Sequence, residues 1–434
     1  MTVEPEGASS EPRQSVTLAE ATRVWTKIGL LSYGGPAAQI ALMHRTVVDE
    51  RGWMSERQFL SALSFCMLLP GPEAMQLATY SGWQLHGVRG GLIAGLLFIL
   101  PGALIMLCLG IIYAYFGSVP LISALFLGIK AAVLVIVVEA LLRVSNKALQ
   151  RPQHWLIAGL AFIGIFFLAL PFPLLVLIAG LYGFFVGAEP SEDARSVPPA
   201  RVTWLTTLVT VLRWLAIWWV PLALIALLSD APILAQLGWF FSKLAVVTFG
   251  GAYAVLAYMA QDVVNLHGWL TAGTMMDGLG LAETTPGPLI LVTQFVGFLS
   301  AFGQGGLTLG IIGAIVTLWA TFAPCFLWIF AGAPYIEWIG AQPRLRGALI
   351  AITAAVVGVI LNLSVWFALH VFFADVSLLR LGPVTLWQPT VSSLDWRVVA
   401  MALVSAGLLF GLHWGMMRVL AIAAAMGVIL SFGF

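Results

Sequence analysis

The chain has 434 residues, of which 61% are hydrophobic and only 9% charged. Soluble domains carry about 25% charged residues, so most of this surface cannot face water. A net charge of +1 leaves no basic footprint for nucleic acid, and the composition describes an all-α polytopic membrane protein.

In chain order, residues 1–16 form a polar tail expected to be disordered, without the basic-then-apolar order of a cleaved signal peptide. Insertion is therefore expected to rely on internal spans. A first repeat is assigned to 17–188. It contains "KIGLLSYGGPAAQIALMHRTVVDERGW" (Lys27 to Trp53) and "LLPGPEAMQ", which carries Pro70-Gly71-Pro72. Long apolar runs follow, Leu92 to Phe116 with Pro101 inside and Leu121 to Leu142, then shorter ones, Trp155 to Leu170 and Leu174 to Val186. Residues 189–203 are a polar, Pro-rich linker, and 204–232 hold a transmembrane helix with no counterpart in the first repeat. The second repeat is assigned to 233–434.

The duplication is read from "KLAVVTFGGAYAVLAYMAQDVVNLHGW" (Lys243 to Trp269), which aligns with the first segment without a gap. Lys27 meets Lys243, Gly34-Gly35 meets Gly250-Gly251, and Trp53 meets Trp269. The same register sets Pro70-Gly71-Pro72 on Pro286-Gly287-Pro288. One unpaired span between two such repeats would turn the second upside down, the plan of inverted-repeat transporters. Loop charge bears on the topology. Arg143, Lys147 and Arg151 mark a cytoplasmic loop, as Arg195 and Arg201 do for the linker. Arg45, Arg51 and Arg57 reach that side only if the chain dips into the membrane at Gly34-Gly35 and Pro70-Gly71-Pro72 and returns. Re-entrant hairpins are the favoured reading, with fully crossing but broken helices as the alternative.

Helix breaks at membrane depth survive only where protein or a watery cavity covers the freed polar groups. They also leave unpaired N–H groups and a positive dipole end on the restarting helix, which suits phosphate-like and sulfate-like anions. Pro36, Pro72 and Pro288 fit the first position of such restarts, where a missing N–H costs nothing. Packing kinks alone would be the simpler account of any single break; the matched pairs favour a site. Lys27 and Lys243, two turns ahead of the first glycines, are compact charges able to pair with or steer a dianion, although Lys27 also suits a snorkelling role beside Glu20 and Arg23. Carboxylates at membrane depth mark ion or proton paths, which makes Glu283, Asp277 and Glu73 candidates for proton coupling. Glu73 alternatively fits the acid-favouring first turn of a half-helix. Gln39, Gln76 and Gln294 are neutral candidates for donating hydrogen bonds to an oxyanion.

The three cysteines, Cys66, Cys108 and Cys325, are scattered and read as small core residues. The six histidines show no metal spacing. Neither a nucleophile with a base nor a metal or cofactor motif is found, so no catalytic residues, metal ligands or cofactor are assigned.

The whole pattern resembles the chromate ion transporter (CHR) family in its long-chain, two-domain form. The resemblance rests on "SYGGPAAQIALMHRTVVDERGWMSERQFLSALSFCMLLPGPEAMQLATYSGWQLHG" in the first half, and on "TFGGAYAVLAYMAQDVVNLHGWL" with "AETTPGPLILVTQFVGF" in the second. It implies a bacterial inner (plasma) membrane protein that expels chromate, a tetrahedral dianion, at the expense of the proton-motive force. Motif residues carried over are Gly34, Gly35, Pro36, Trp53, Pro70, Gly71, Pro72 and Gln76, with Gly250, Gly251, Trp269, Glu283, Pro286, Gly287 and Pro288 in the second half. Ala252 stands where Pro36 stands in the first half. Sulfate or another oxyanion is the alternative substrate; an intramembrane enzyme and a passive channel are less favoured. The expected partners are the dianion, the bilayer and, as a candidate assembly, a second copy in a homodimer.

Overall fold

The computed structural model describes residues 16–187, 203–249, 252–340 and 342–432. The expected tail (except Val16), the linker (except Thr203), Gly250 and Gly251 lie outside the described residues. Helix α1 (Leu18–Leu31) begins at Thr17, whose hydroxyl accepts from the Glu20 amide at 3.2 Å. It stops at Ser32, because Gly34 and Gly35 take φ of +87° and +77°, which a side chain resists. Helix α2 (Gly35–His44) restarts there with Pro36 in its first turn and runs into a π-helical turn, Arg45–Glu50. Helix α3 (Glu56–Leu68) starts from a reciprocal cap between Ser55 and Gln58 and ends at the first Pro-Gly-Pro.

Helix α4 (Glu73–Phe116) is two helices, because His86 and Gly87 leave helical geometry. We call 73–85 α4a and 88–116 α4b. Gly82 and Gly90 would each collide with the other's backbone if given a Cβ, so the two segments lie antiparallel at glycine-limited separation. α1, α3 and α4a are each about 20 Å long at 1.5 Å per residue, short of a ~30 Å hydrocarbon core. Their outer ends gather. Arg51, after α2, pairs with Glu20 of α1, and His86 Nε2 lies 2.7 Å from the Val16 carbonyl oxygen. α1 with α2, and α3 with α4a, therefore form two helical hairpins whose ends meet.

His44 closes this cluster, with Nε2 on Glu56 and Nδ1 3.3 Å from Asp49. The hydrogen bond to the Glu56 carboxylate, reinforced by the charges of Glu56 and Asp49, holds the imidazole above its ordinary pKa of 6.5. A raised folded-state value stabilises the protonated hairpin base. That contribution is complete below the unfolded value and is lost as pH rises through the folded one. Glu56→Gln should lower the His44 titration midpoint, measured by NMR on histidine-labelled protein; an unmoved midpoint would contradict the arrangement.

The chain continues through α5 (Pro120–Ala148), α6 (Pro152–Phe166) and α7 (Phe172–Val186), then α8 (Trp204–Leu228). The second half repeats the order: α9 (Pro232–Val247), α10 (Ala252–Gln261) and α11 (Ala272–Thr284) come first. Next is α12 (Val292–Gly332), broken at Gly305 and Gly306 into 292–304 (α12a) and 307–332 (α12b). After the short α13 (Ile336–Gly340) come α14 (Pro343–Phe372), α15 (Trp396–Ala406) and α16 (Met416–Phe432). Among the described residues, five helical stretches are long and apolar enough to cross a membrane: Glu73–Phe116, Pro120–Ala148, Trp204–Leu228, Leu289–Tyr335 and Pro343–Phe372.

One element departs from the all-helical expectation. Strands β1 (Val376–Leu381) and β2 (Val384–Pro389) form an antiparallel hairpin turning at Gly382, φ +62°. The Thr385 amide donates to the Phe167 carbonyl at 2.7 Å, which ties the hairpin to the α6–α7 turn.

Small residues set the distances between spans. A Cβ on Gly128 of α5 would overlap the Ala423 carbonyl of α16, and one on Gly427 the Ala124 carbonyl. Gly128→Val should therefore force α5 and α16 apart and cost about 1–3 kcal/mol of overpacking strain. A lowered melting temperature in detergent is the expected readout, and an unchanged one would refute this packing.

Candidate functional site: four chain breaks and a cavity

The breaks of the two halves complete each other. The Gly71 amide donates to the Thr248 carbonyl at 2.8 Å, and the Gly287 amide to the Ser32 carbonyl at 2.8 Å. Gly71 and Gly287 occupy one repeat register, as do Ser32 and Thr248. Each Pro-Gly-Pro thus rests on the end of the first half-helix of the opposite repeat. The spans behind them are matched as well. A Cβ on Gly102, which follows Pro101, would overlap the Pro286 carbonyl oxygen; a Cβ on Gly71 would lie 2.9 Å from Sγ of Cys325, which follows Pro324.

Pro36, Gln39, Pro72, Glu73, Ala74, Pro288, Leu289 and Ile290 line one cavity. These residues open α2, α4 and the short 3-10 turn Leu289–Leu291, so three helical starts meet there. The break expected at Gly250-Gly251 lies outside the described residues; Thr248 accepts from the Gly71 amide. The cavity volume of about 20 Å³ holds one water-sized sphere, so an oxyanion needs the tips to part.

Two expectations need correction. Pro72 and Pro288 cap the restarting helices and do not occupy their first helical position; both are extended, with ψ of 106° and 135°. A proline following a positive-φ glycine continues the turn, and the helix starts one residue later, at Glu73 and Leu289. The glutamines are not free donors either. Gln39 Nε2 donates to Gly287 O at 2.6 Å and to Ser32 O at 3.3 Å, and Gln76 Nε2 donates to Pro70 O at 2.7 Å. Carbonyls freed by the breaks consume these amides first. Gln294 is buried in α12a.

The remaining candidates are not among the residues that line this cavity. Lys27 lines a separate cavity with Arg45 and Glu50. Lys243 is exposed, its Nζ 5.4 Å from the Tyr258 ring. Glu283 is buried and accepts from Tyr253 OH at 2.9 Å. Asp277, also buried, pairs with Lys130 at 3.2 Å and accepts from Tyr113 OH at 2.7 Å. Sequence reasoning passed over Tyr113, Tyr253, Ser32 and Thr248. For the last two a signal existed, a hydroxyl residue kept in one register of both repeats. Cys66 and Cys325 are buried as expected, whereas Cys108 is exposed. Among the described residues no group of His, Cys, Asp and Glu is assembled to hold a metal.

The sequence model of the family described as chromate transporter matches residues 19–184 and 235–428. The chain belongs to the chromate transporter family. The stretch between the two matches contains the linker and α8. The chain is similar to the chromate transport protein of Pseudomonas aeruginosa, 32% identical over 89% of this chain and 85% of that one. It is also similar to the chromate transport protein of Cupriavidus metallidurans, 29% identical over 79% and 81%, and to the probable chromate transport protein of Synechococcus elongatus, 29% identical over 80% and 85%. No solved structure matches the chain. This chromate transporter family member is a multi-pass inner-membrane protein.

Proposed function

We propose that the protein is a secondary transporter that exports chromate across the bacterial inner membrane under the proton-motive force, holding the oxyanion at the helix starts between two inverted repeats. The observation that carries this reading is the meeting of three helix starts, from both halves, on one cavity. Backbone N–H groups and aligned dipoles favour a tetrahedral anion there. The relatives named for chromate transport supply the substrate. Gly34, Gly35, Pro36, Pro70, Gly71, Pro72, Pro286, Gly287 and Pro288 shape the binding tips, with Gly250 and Gly251 as the fourth. Gln39 and Gln76 brace the tips, Lys27 and Lys243 steer the anion, and Glu283, Asp277 and Glu73 are the coupling carboxylates.

Re-entrant hairpins and inversion have geometric support. The first repeat's hairpin ends gather at Val16, Glu20, Arg51 and His86, where α4b begins. α4b then runs 88–116, about 43 Å. Near its far end the Tyr115 ring meets Phe302, close to the end of α12a, at 5.4 Å. The corresponding helices of the two halves thus finish at opposite ends of one span. The basic residues Arg45, Arg51 and Arg57 at the hairpin ends favour the cytoplasm for that side.

Cells expressing the protein should accumulate less radiolabelled chromate than controls, and Glu283→Gln or Lys243→Ala should erase the difference. Equal accumulation with and without the protein would remove the export reading. Competition by sulfate in everted vesicles measures how far the site separates two dianions of one shape.

A further inference from the structure

The cavity between the breaks contains two groups that a site for a bare dianion should lack. Glu73 is half-buried, lines the cavity, and has no hydrogen-bond or ion-pair partner among the described residues. Gln39, 1% exposed, spends its NH2 on Ser32 and Gly287, which leaves its Oε1 an acceptor without a donor. Around Glu73, α2 and the turn after Pro288 contribute Pro36, Gln39, Leu289 and Ile290, none of them charged. From α5, Lys147 acts on it as the nearby cation, but Lys147 is exposed and its Nζ is turned to Sδ of Met67, 4.0 Å away. Cys66 of α3 is a buried thiol on the same side.

An ionised Glu73 and a dianion would share the same helix starts in a site with little water, and like charges so placed repel strongly. One proton removes the conflict and supplies the O–H donor that the cavity lacks. We propose that the oxyanion and one proton occupy this cavity together, the proton on Glu73, and that both cross the membrane in the same direction. This inference rests on the transport reading above.

Linkage fixes the sign. If a proton on Glu73 raises the affinity for the anion, the anion raises the affinity for the proton by the same factor. A carrier that favours the doubly loaded state moves its ligands together, whereas exchange requires them to compete. A dianion with one proton transfers one net negative charge. The interior-negative potential therefore drives export, and the alkaline interior opposes it.

Full-length protein in liposomes containing a pH-sensitive dye tests this, with chromate outside and an inside-positive potassium diffusion potential. Uptake accompanied by internal acidification, about one proton per anion, is expected. Glu73→Gln should lower uptake, and the remaining uptake should carry fewer than about 0.1 protons per anion. Should that variant carry no chromate, Glu73→Asp decides: uptake with acidification supports the proposal, and uptake without it overturns it. Wild-type uptake with internal alkalinisation, or with no pH change, overturns co-movement while leaving transport standing. Acidification by Glu73→Gln at the wild-type ratio overturns the part of Glu73. No wild-type flux of chromate under either gradient overturns the transport reading itself.

Discussion

Gly102→Leu should abolish protection against chromate accumulation while the protein still inserts into the membrane. Gly102 faces the second Pro-Gly-Pro so closely that even a Cβ would occupy the space of the Pro286 carbonyl oxygen, with Leu291 Cδ1 2.6 Å away. The obstacle is backbone, so it cannot rotate aside. The tip must withdraw, and the Gly287–Ser32 hydrogen bond and the Gln39–Gly287 hydrogen bond go with it. Overpacking accounts for about 1–3 kcal/mol, and each buried polar group left unmet adds about 1–3 kcal/mol. On the proposed site transport depends on the geometry of the tip, so activity should disappear before the fold does. Cys325→Gly, at the matched position, removes only a side chain against Gly71 and should be much milder. A Gly102→Leu protein that protects cells like the wild type would refute the placement of this break.

Asp277→Asn should destabilise the protein by about 3–5 kcal/mol, near the lower end because Lys130 is 23% exposed. The carboxylate lies within the bundle and answers two groups, the Lys130 ammonium and the Tyr113 hydroxyl. Neutralising it strands the ammonium of α5 without a counter-charge. Lys130→Met combined with Asp277→Leu removes both charges and should recover most of the loss. Melting temperatures in detergent for Lys130→Met, Asp277→Leu and the double variant give the coupling. Independent, additive effects would show that the pair is not formed.

The gapless register from Lys27 and Lys243 marked where the helices break, because glycine and proline act locally and their effect is written in the residues themselves. The short length of α1, α3 and α4a follows from the same breaks. What the register could not supply is contact between the halves. Lys130 looks at Asp277 across 147 positions of chain, and no periodicity relates them. The glutamines appeared as ligands because their acceptors are carbonyls freed by the breaks, those of Pro70 and Ser32 in their own repeat and that of Gly287, which Gln39 caps, in the other half. The hairpin of β1 and β2 escaped notice because its apolar residues resemble a short membrane segment until Gly382 and the tie to Phe167 are seen.

The crossed glycine bonds also constrain what half of this molecule could do alone. A single repeat would present the Gly71 amide, or that of Gly287, with no carbonyl to receive it, and a cradle closed on one side only. Such a half would satisfy its own tip by meeting a second copy. On the proposed inversion, α8 would reverse the direction in which the second copy enters the bilayer, and fusion of two copies would hold that partnership permanently.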